Sequence, residues 1–430
     1  MFRPQALVLE LTLRPANVLQ WPQMRISFAI AAVAVLLAGI ASADSDYDPY
    51  GGWLKIAGSK TGFFHTQKID GRWWLVTPDG HAFFSKGVDN VSYRPEAASS
   101  PKAPADTNAW AAATARQLHS WNFNTTGAWS ASELYGKEIV YAPVIDMAAS
   151  VQRDLWLKGG VVDYFSQEFR DAAGRVAERM CAPHAKDPWL LGYFTDNELR
   201  WGKDWRSQDS LLESYLKMPE ASQGFHKASE FLKTRGHAAV SLTDDDKGEF
   251  AGLLAEEYAR VTSEAIRRAD PNHLVLGCRF AGYPGDSAIR AVGKYFDVIS
   301  YHSYNATAPV DRLQQIYRLS GKPTMITEFS FKAMDSGLPN TKGAAKPVGT
   351  QLERADGFTH YVEALAALPG CVGFHWFEFR DEPKEGRFDG ENSNYGVVKI
   401  DFTPWVVLTA RMTEVNAGME ARHAAAEVVQ

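Results

Sequence analysis

The chain has 430 residues, of which 45% are apolar, 12% aromatic and 22% charged, enough apolar material for a large core. A formal net charge of −6 and a pI near 6.0 exclude the basic face of a nucleic-acid binder. Three widely spaced cysteines, Cys181, Cys278 and Cys371, exclude a disulfide framework, and no C-x-x-C or H-E-x-x-H pattern offers a metal site.

Met24-Arg25, the apolar run Phe28 to Ile40 and Ala41-Ser42-Ala43 have the three-part pattern of a secretory signal peptide, with Met24 as the true start. The run is too short for a permanent anchor. Residues 1–43 are therefore read as upstream residues plus signal peptide. Residues 44–430 are read as a single catalytic domain, secreted or periplasmic and free of the membrane after cleavage. Two apolar runs, Gly71 to Val76 and His81 to Ser85, flank Thr77-Pro78-Asp79-Gly80 and predict a β-hairpin.

From Lys86 to Asn90, the end of the first barrel strand, strand-like and helix-like segments alternate, the sign of βα units. Strands two to eight are expected at Phe123 to Gly127, Tyr141 to Asp146, Leu190 to Glu198, Leu274 to Arg279, Phe296 to His302, Thr324 to Glu328 and Val372 to Phe377. Helices are expected at Asn108 to Ser120, Glu168 to Cys181, Leu253 to Ala269, Asp311 to Ser320 and Ala355 to Leu368, with a closing helix after Thr403 that frays from Gly418. Eight units predict an α/β fold, a (β/α)8 TIM barrel with an N-terminal β-hairpin and long loops after strands 4 and 8, Leu199 to Lys247 and Glu378 to Val398. Loops of that length are usually functional.

Two of these strands end in glutamate: Glu198 in Gly192-Tyr193-Phe194-Thr195-Asp196-Asn197-Glu198 and Glu328 in Thr324-Met325-Ile326-Thr327-Glu328-Phe329. Chemistry on a parallel barrel sits at the carboxyl ends of its strands. Two carboxylates delivered there from two strands meet the needs of glycosidic-bond cleavage, one protonating the leaving oxygen and one attacking the anomeric carbon. Glu198 is read as the acid/base, with a pKa raised by desolvation and by the nearby Glu328 charge. Glu328 is read as an ionised nucleophile served by donors from Arg279, Tyr301, His302 and Tyr304. Asn197 is placed to hold a sugar hydroxyl. Trp376, one of thirteen tryptophans, is placed as a stacking floor. Asp389, Glu391 and Asn392, in a Gly- and Asn-rich loop whose spacing is not that of an EF-hand, are candidates for sugar or loop-ordering contacts. No cofactor and no metal is expected. The partner is an oligo- or polysaccharide.

The segments Gly192 to Gly202, Thr327-Glu328-Phe329, and His375-Trp376-Phe377 through Gly386-Arg387 to Asp389-Gly390-Glu391-Asn392 resemble glycoside hydrolase family 50, the β-agarases. The resemblance spans roughly Trp73 to Asn416. It implies a TIM barrel, a retaining mechanism through a glycosyl-enzyme, and β-galactosidic bonds of agarose-type galactans, with Glu198 as acid/base and Glu328 as nucleophile. The stretch from Asp44 to Asp70 is too short for the N-terminal β-sandwich of about 100 residues that such enzymes carry. Phe329-Ser330-Phe331 also stands where His and Gly are expected, and both departures point to a shorter oligosaccharide or another β-galactoside. The alternatives are a retaining barrel hydrolase for another β-linked glycan and a non-catalytic sugar-binding barrel.

Overall fold

Gly80 takes φ +93°, a left-handed conformation natural to glycine, and lets the chain reverse after Pro78-Asp79. The computed structural model describes residues 46–152, 155–237 and 241–427. The expected signal peptide and the residues before it lie outside the described residues. The expected hairpin is the centre of a larger antiparallel sheet of β1 (Trp53–Ala57), β2 (His65–Ile69), β3 (Arg72–Val76) and β4 (His81–Phe83), in the order β1-β4-β3-β2. Phe64, Leu75 and Phe83 from this region pack against Val140, Leu191, Leu276, Val298, Met325 and Val372 near the amino ends of the barrel strands. The lower mouth of the barrel is thereby filled with apolar side chains.

The barrel follows in chain order: β5 (Ser85–Val88), α1 (Thr107–Ser120), β6 (Thr125–Thr126), β7 (Val140–Tyr141), α2 (Leu155–Lys158), α3 (Gln167–Met180), β8 (Gly192–Asn197), α4 (Leu211–Leu216), α5 (Gln223–Arg235) and α6 (Asp244–Ala269). It continues through β9 (Leu274–Ala281), α7 (Asp286–Val292), β10 (Ile299–His302), α8 (Val310–Ser320) and β11 (Thr324–Phe329). A small pair, β12 (Lys332–Ala333) and β13 (Pro347–Val348), precedes α9 (Gln351–Ala366), β14 (Cys371–Trp376), α10 (Val406–Asn416) and α11 (Met419–Ala425). Eight parallel strands run β7-β6-β5-β14-β11-β10-β9-β8, and the bridges Tyr141–Leu190 and Val144–Phe194 join the ends of the series. This is the expected (β/α)8 barrel. Among the described residues no helix is long and apolar enough to cross a membrane.

Three expectations shift for identifiable reasons. The third strand is regular only over Val140–Tyr141, because Pro143 has no N–H to give to a ladder, and pairing with β8 resumes beyond it, where the Ile145 N–H donates to the carbonyl of Phe194 at 3.0 Å. The long helix α6 starts at Asp244, not Leu253, because Thr243 and Asp246 form a reciprocal capping box. The tail does not fray from Gly418. Met419, Glu420 and His423 of α11 are buried, Glu420 pairs with Lys86 of β5 at 2.6 Å, and His423 bridges the carbonyl oxygens of Ala366 and Trp73 at 2.8 and 3.0 Å. All three cysteines are buried and free, and Cys278 is the small hydrophobe expected of it.

Candidate active site

A cleft of about 1020 Å³ opens where the strands end, and Glu198, His302, Tyr304 and Glu328 line it together. Glu198 follows β8 directly, with its backbone at φ +46° and its N–H donating to the carbonyl of Arg279 at 2.9 Å. A left-handed backbone at a non-glycine residue costs free energy that the surrounding structure must hold. Here it turns the carboxyl from the strand direction into the cleft. Asn197 also lines the cleft, and its side-chain oxygen accepts from Arg279 at 2.8 Å.

Each oxygen of Glu198 has its own donor: His302 Nδ1 at 2.8 Å from Oε1 and Trp156 Nε1 at 2.7 Å from Oε2. Glu328 receives Tyr304 Oη at 2.7 Å and the Arg279 guanidinium at 2.9 Å, with His302 Nδ1 at 3.3 Å. The proton affinities run opposite to the sequence expectation. Burial pulls the Glu198 carboxyl up, but the hydrogen bond and charge of His302, then Trp156 and Arg279, outweigh it and leave Glu198 below its usual value. Burial holds Glu328 above its usual value, with the Glu198 and Asp89 charges adding to the rise and His302 and Arg279 opposing it. Imidazole sits closer to Glu198, so the ligand-free site favours the ionised form there.

Arg279 is not a substrate contact. It is completely buried, bonding Asp89 Oδ2 and the carbonyl oxygen of Thr327 at 2.6 Å each, and its guanidinium lies 4.6 Å from the centre of the Trp129 ring. Two carboxylates on opposite sides draw it into the barrel centre, where it holds Glu328 and Asn197. The centre is tight: a Cβ on Gly127 would lie 1.9 Å from Asp89 Oδ1, and one on Gly87 would lie 2.2 Å from the His375 ring.

Trp376 is not the floor of the cleft either. Side chains alternate along a strand, so Trp376 shares a face with Phe374 and points to α9, fully buried among Phe329, Phe358 and the Arg354 guanidinium. Its N–H donates to the carbonyl of Tyr395 at 2.8 Å. Among the aromatic side chains that do line the cleft is Trp129, 39% exposed and just past β6. Asn392 is turned away to the Thr341–Lys342 backbone, accepting at 3.0 and 3.2 Å, so it orders a loop. Asp389 and Glu391 line the cleft, both gripped by Arg387 at 2.9 and 2.8 Å. Sequence reading missed Trp129, Trp156 and Arg387. Of these only Arg387 lay in a segment that the residue pattern had singled out.

Beneath Glu198, Asp196 accepts from the backbone of Ala148 at 2.8 Å and from Tyr258 Oη at 2.7 Å. Burial, then the Asp146 charge, pushes its carboxyl up to about 8 despite these donors. An unfolded Asp releases its proton near 3.9. Between the two values the folded state binds a proton that the unfolded state lacks, so this stabilisation is full below about 4 and is lost as pH rises through about 8. Asp196→Asn should therefore flatten the fall in urea midpoint between pH 5 and 8.5. Parallel falls in wild type and variant would show that Asp196 holds no proton.

Among the described residues, Glu198, His302 and Glu328 are the one group of three ligating side chains with donor atoms within 4.8 Å of one another. Two carboxylates and an imidazole suit a divalent ion, but the Arg279 guanidinium already supplies positive charge against Glu328.

No family model matches the chain. It is 28% identical to β-agarase B of Vibrio sp. (strain JT0107) over 480 residues, 85% of this chain and 49% of that protein. The chain thus spans about half the length of the curated relatives it matches. An agarase structure, AgWH50C, superposes with a TM-score of 0.76 at 25% identity, covering 88% of this chain and 66% of that one. By sequence and by fold the chain is similar to β-agarases. The crystal structure of BpGH50 shares the fold over 88% of this chain and 87% of its own, with a TM-score of 0.77 and 24% identity.

Proposed function

We propose that the barrel is a retaining glycoside hydrolase that cuts β-galactosidic bonds of agarose-type galactans or their oligosaccharides. One observation carries the reading: an oxygen of Glu198 and an oxygen of Glu328 lie within 4.8 Å of each other in one cleft. Retaining enzymes hold their carboxyl groups about 5–5.5 Å apart, and inverting enzymes leave room for a water at about 6.5–9.5 Å. The agarase relatives support galactan as the substrate class. The signal-peptide pattern supports a secreted or periplasmic catalytic domain beginning near Asp44.

In this reading Glu198 protonates the leaving oxygen while Glu328 attacks the anomeric carbon, and Glu198 then takes a proton from the water that releases the sugar. The roles follow the resemblance, and the transition state supports them. Positive charge developing on the anomeric carbon beside Glu328 favours its carboxylate. His302, within reach of both glutamates at 2.8 and 3.3 Å, offers a route for the proton to Glu198. Trp129 and the Asp389–Arg387–Glu391 cluster supply an apolar ring face and hydroxyl partners around the sugar.

The test is hydrolysis of neoagaro-oligosaccharides and nitrophenyl β-glycosides by wild type beside Glu198→Gln. Galactosidic bonds should be cut, and the variant should lose about 10²–10⁴-fold in kcat on unactivated oligosaccharides. Cleavage restricted to other β-glycosides would keep the mechanism and remove galactan. Binding without cleavage by wild type would make the barrel a sugar-binding protein.

A further inference from the structure

We infer that Trp156 is a positioning residue for Glu198, held in place by Arg206, which ties the loop after β7 to the loop after β8. The inference rests on the proposed role of Glu198 in glycoside hydrolysis. Trp156 lies in α2, a single turn that no sequence pattern marks, yet its indole N–H meets Glu198 Oε2 at 2.7 Å. Together with His302 on Oε1 it fixes the plane of the carboxyl from both sides.

The donor is aimed by backbone contacts. Arg206 Nη1 donates to the carbonyl oxygens of both Trp156 and Glu198, at 2.9 and 3.0 Å. Its remaining donors close on Asp204 Oδ2, at 2.9 and 2.6 Å, so the guanidinium cannot swing away cheaply. Arg200 makes a second tie between the same loops, donating to the carbonyl oxygen of Gly159 at 2.8 Å and to that of Asp209 at 2.6 Å. Gly159 leaves the space: its φ is +57°, and a Cβ there would lie 2.4 Å from Arg206 Cβ. The left-handed backbone of Glu198 thus carries a clamp on its carbonyl oxygen and another on its carboxylate.

A neutral N–H that bonds the carboxylate stabilises the charged form. Glu198 needs that form in the second half of the reaction, when it accepts a proton from the attacking water. Trp156→Phe keeps an aromatic ring and removes the indole N–H. With an activated aryl β-galactoside, whose turnover is set by release of the glycosyl-enzyme, the acidic limb of the kcat profile should move to higher pH. On that limb, below the wild-type inflection, kcat should fall about tenfold, the effect of one lost charge-assisted hydrogen bond, with KM little changed. Arg206→Lys should shift the limb in the same direction by loosening the same donor. A purely structural role would lower the whole profile without moving its limb, and that result would overturn the inference.

A second readout needs no substrate. Tryptophan emission of the wild type should show a pH transition that vanishes in both Glu198→Gln and Trp156→Phe. A transition that is lost in Glu198→Gln but kept in Trp156→Phe would sink the positioning role. Should wild type hydrolyse no glycoside, the functional reading fails and this fluorescence titration still decides the contact.

Discussion

Glu328→Ala should abolish turnover, by about 10⁴-fold or more on the scale of other lost nucleophiles, with the fold retained. Glu328 lies in β11 with its backbone in the barrel ladder, so shortening its side chain leaves the strand pairing intact. It also removes a buried carboxyl whose proton affinity is raised above its usual value. The space it leaves faces the anomeric carbon, and azide ion should enter there. Attack from that side gives a glycosyl azide of inverted configuration, and part of the lost activity should return with it. The product can be read by NMR from a single incubation with an activated aryl galactoside. Wild-type turnover without azide would remove Glu328 from the nucleophile role. An azide of retained configuration would exchange the roles of Glu198 and Glu328, the assignment toward which the ligand-free proton affinities lean.

Arg279→Met should cost about 3–5 kcal/mol of stability, the range for breaking a buried ion pair from one side, and should remove most activity. The guanidinium is the shared partner of Asp89 at 2.6 Å and Glu328 at 2.9 Å, and all three side chains are buried. Methionine fills much of the volume but leaves two carboxyl groups facing each other without a cation. Glu328 is already above its usual value with Arg279 present, and losing the positive charge pushes it further up. A folded-state pKa raised above the unfolded value gives stability at low pH that is lost as pH rises. The deficit should therefore be larger at pH 8 than at pH 5 in denaturant titrations. Equal midpoints for variant and wild type at pH 8 would show that the ion pair carries no net stabilisation.

The barrel was legible because its strands are buried on both faces and read as apolar runs that switch to polar residues at the mouth. That switch marked Glu198, His302 and Glu328, and the structure brings all three together. The errors have distinct physical origins. Trp376 could have been placed by parity, since Phe374 and Trp376 share one face of β14 and His375 the other. The start of α6 was written in Thr243 and Asp246, a capping signal outweighed by the later apolar pattern. Trp129 and Trp156 were beyond reach, because they stand on irregular segments where no period relates sequence to direction. The order of proton affinities was also beyond reach. It depends on His302 lying 2.8 Å from one glutamate and 3.3 Å from the other, a tertiary distance that composition does not encode.

The docking of α11 has a consequence for the order of assembly. Lys86 in the first barrel strand meets Glu420, 334 residues later in the chain. His423 reaches back to Trp73 across 350 residues. Until a growing chain has emerged past His423, Lys86 has no buried carboxylate to meet, and β5 leaves its charge in an apolar setting. Contacts of such long range form late, because the entropy of closing the intervening loop must be met before they stabilise anything. On the ribosome, then, the barrel stays open at β5 until α11 has been made, and that late helix locks the first strand of the barrel.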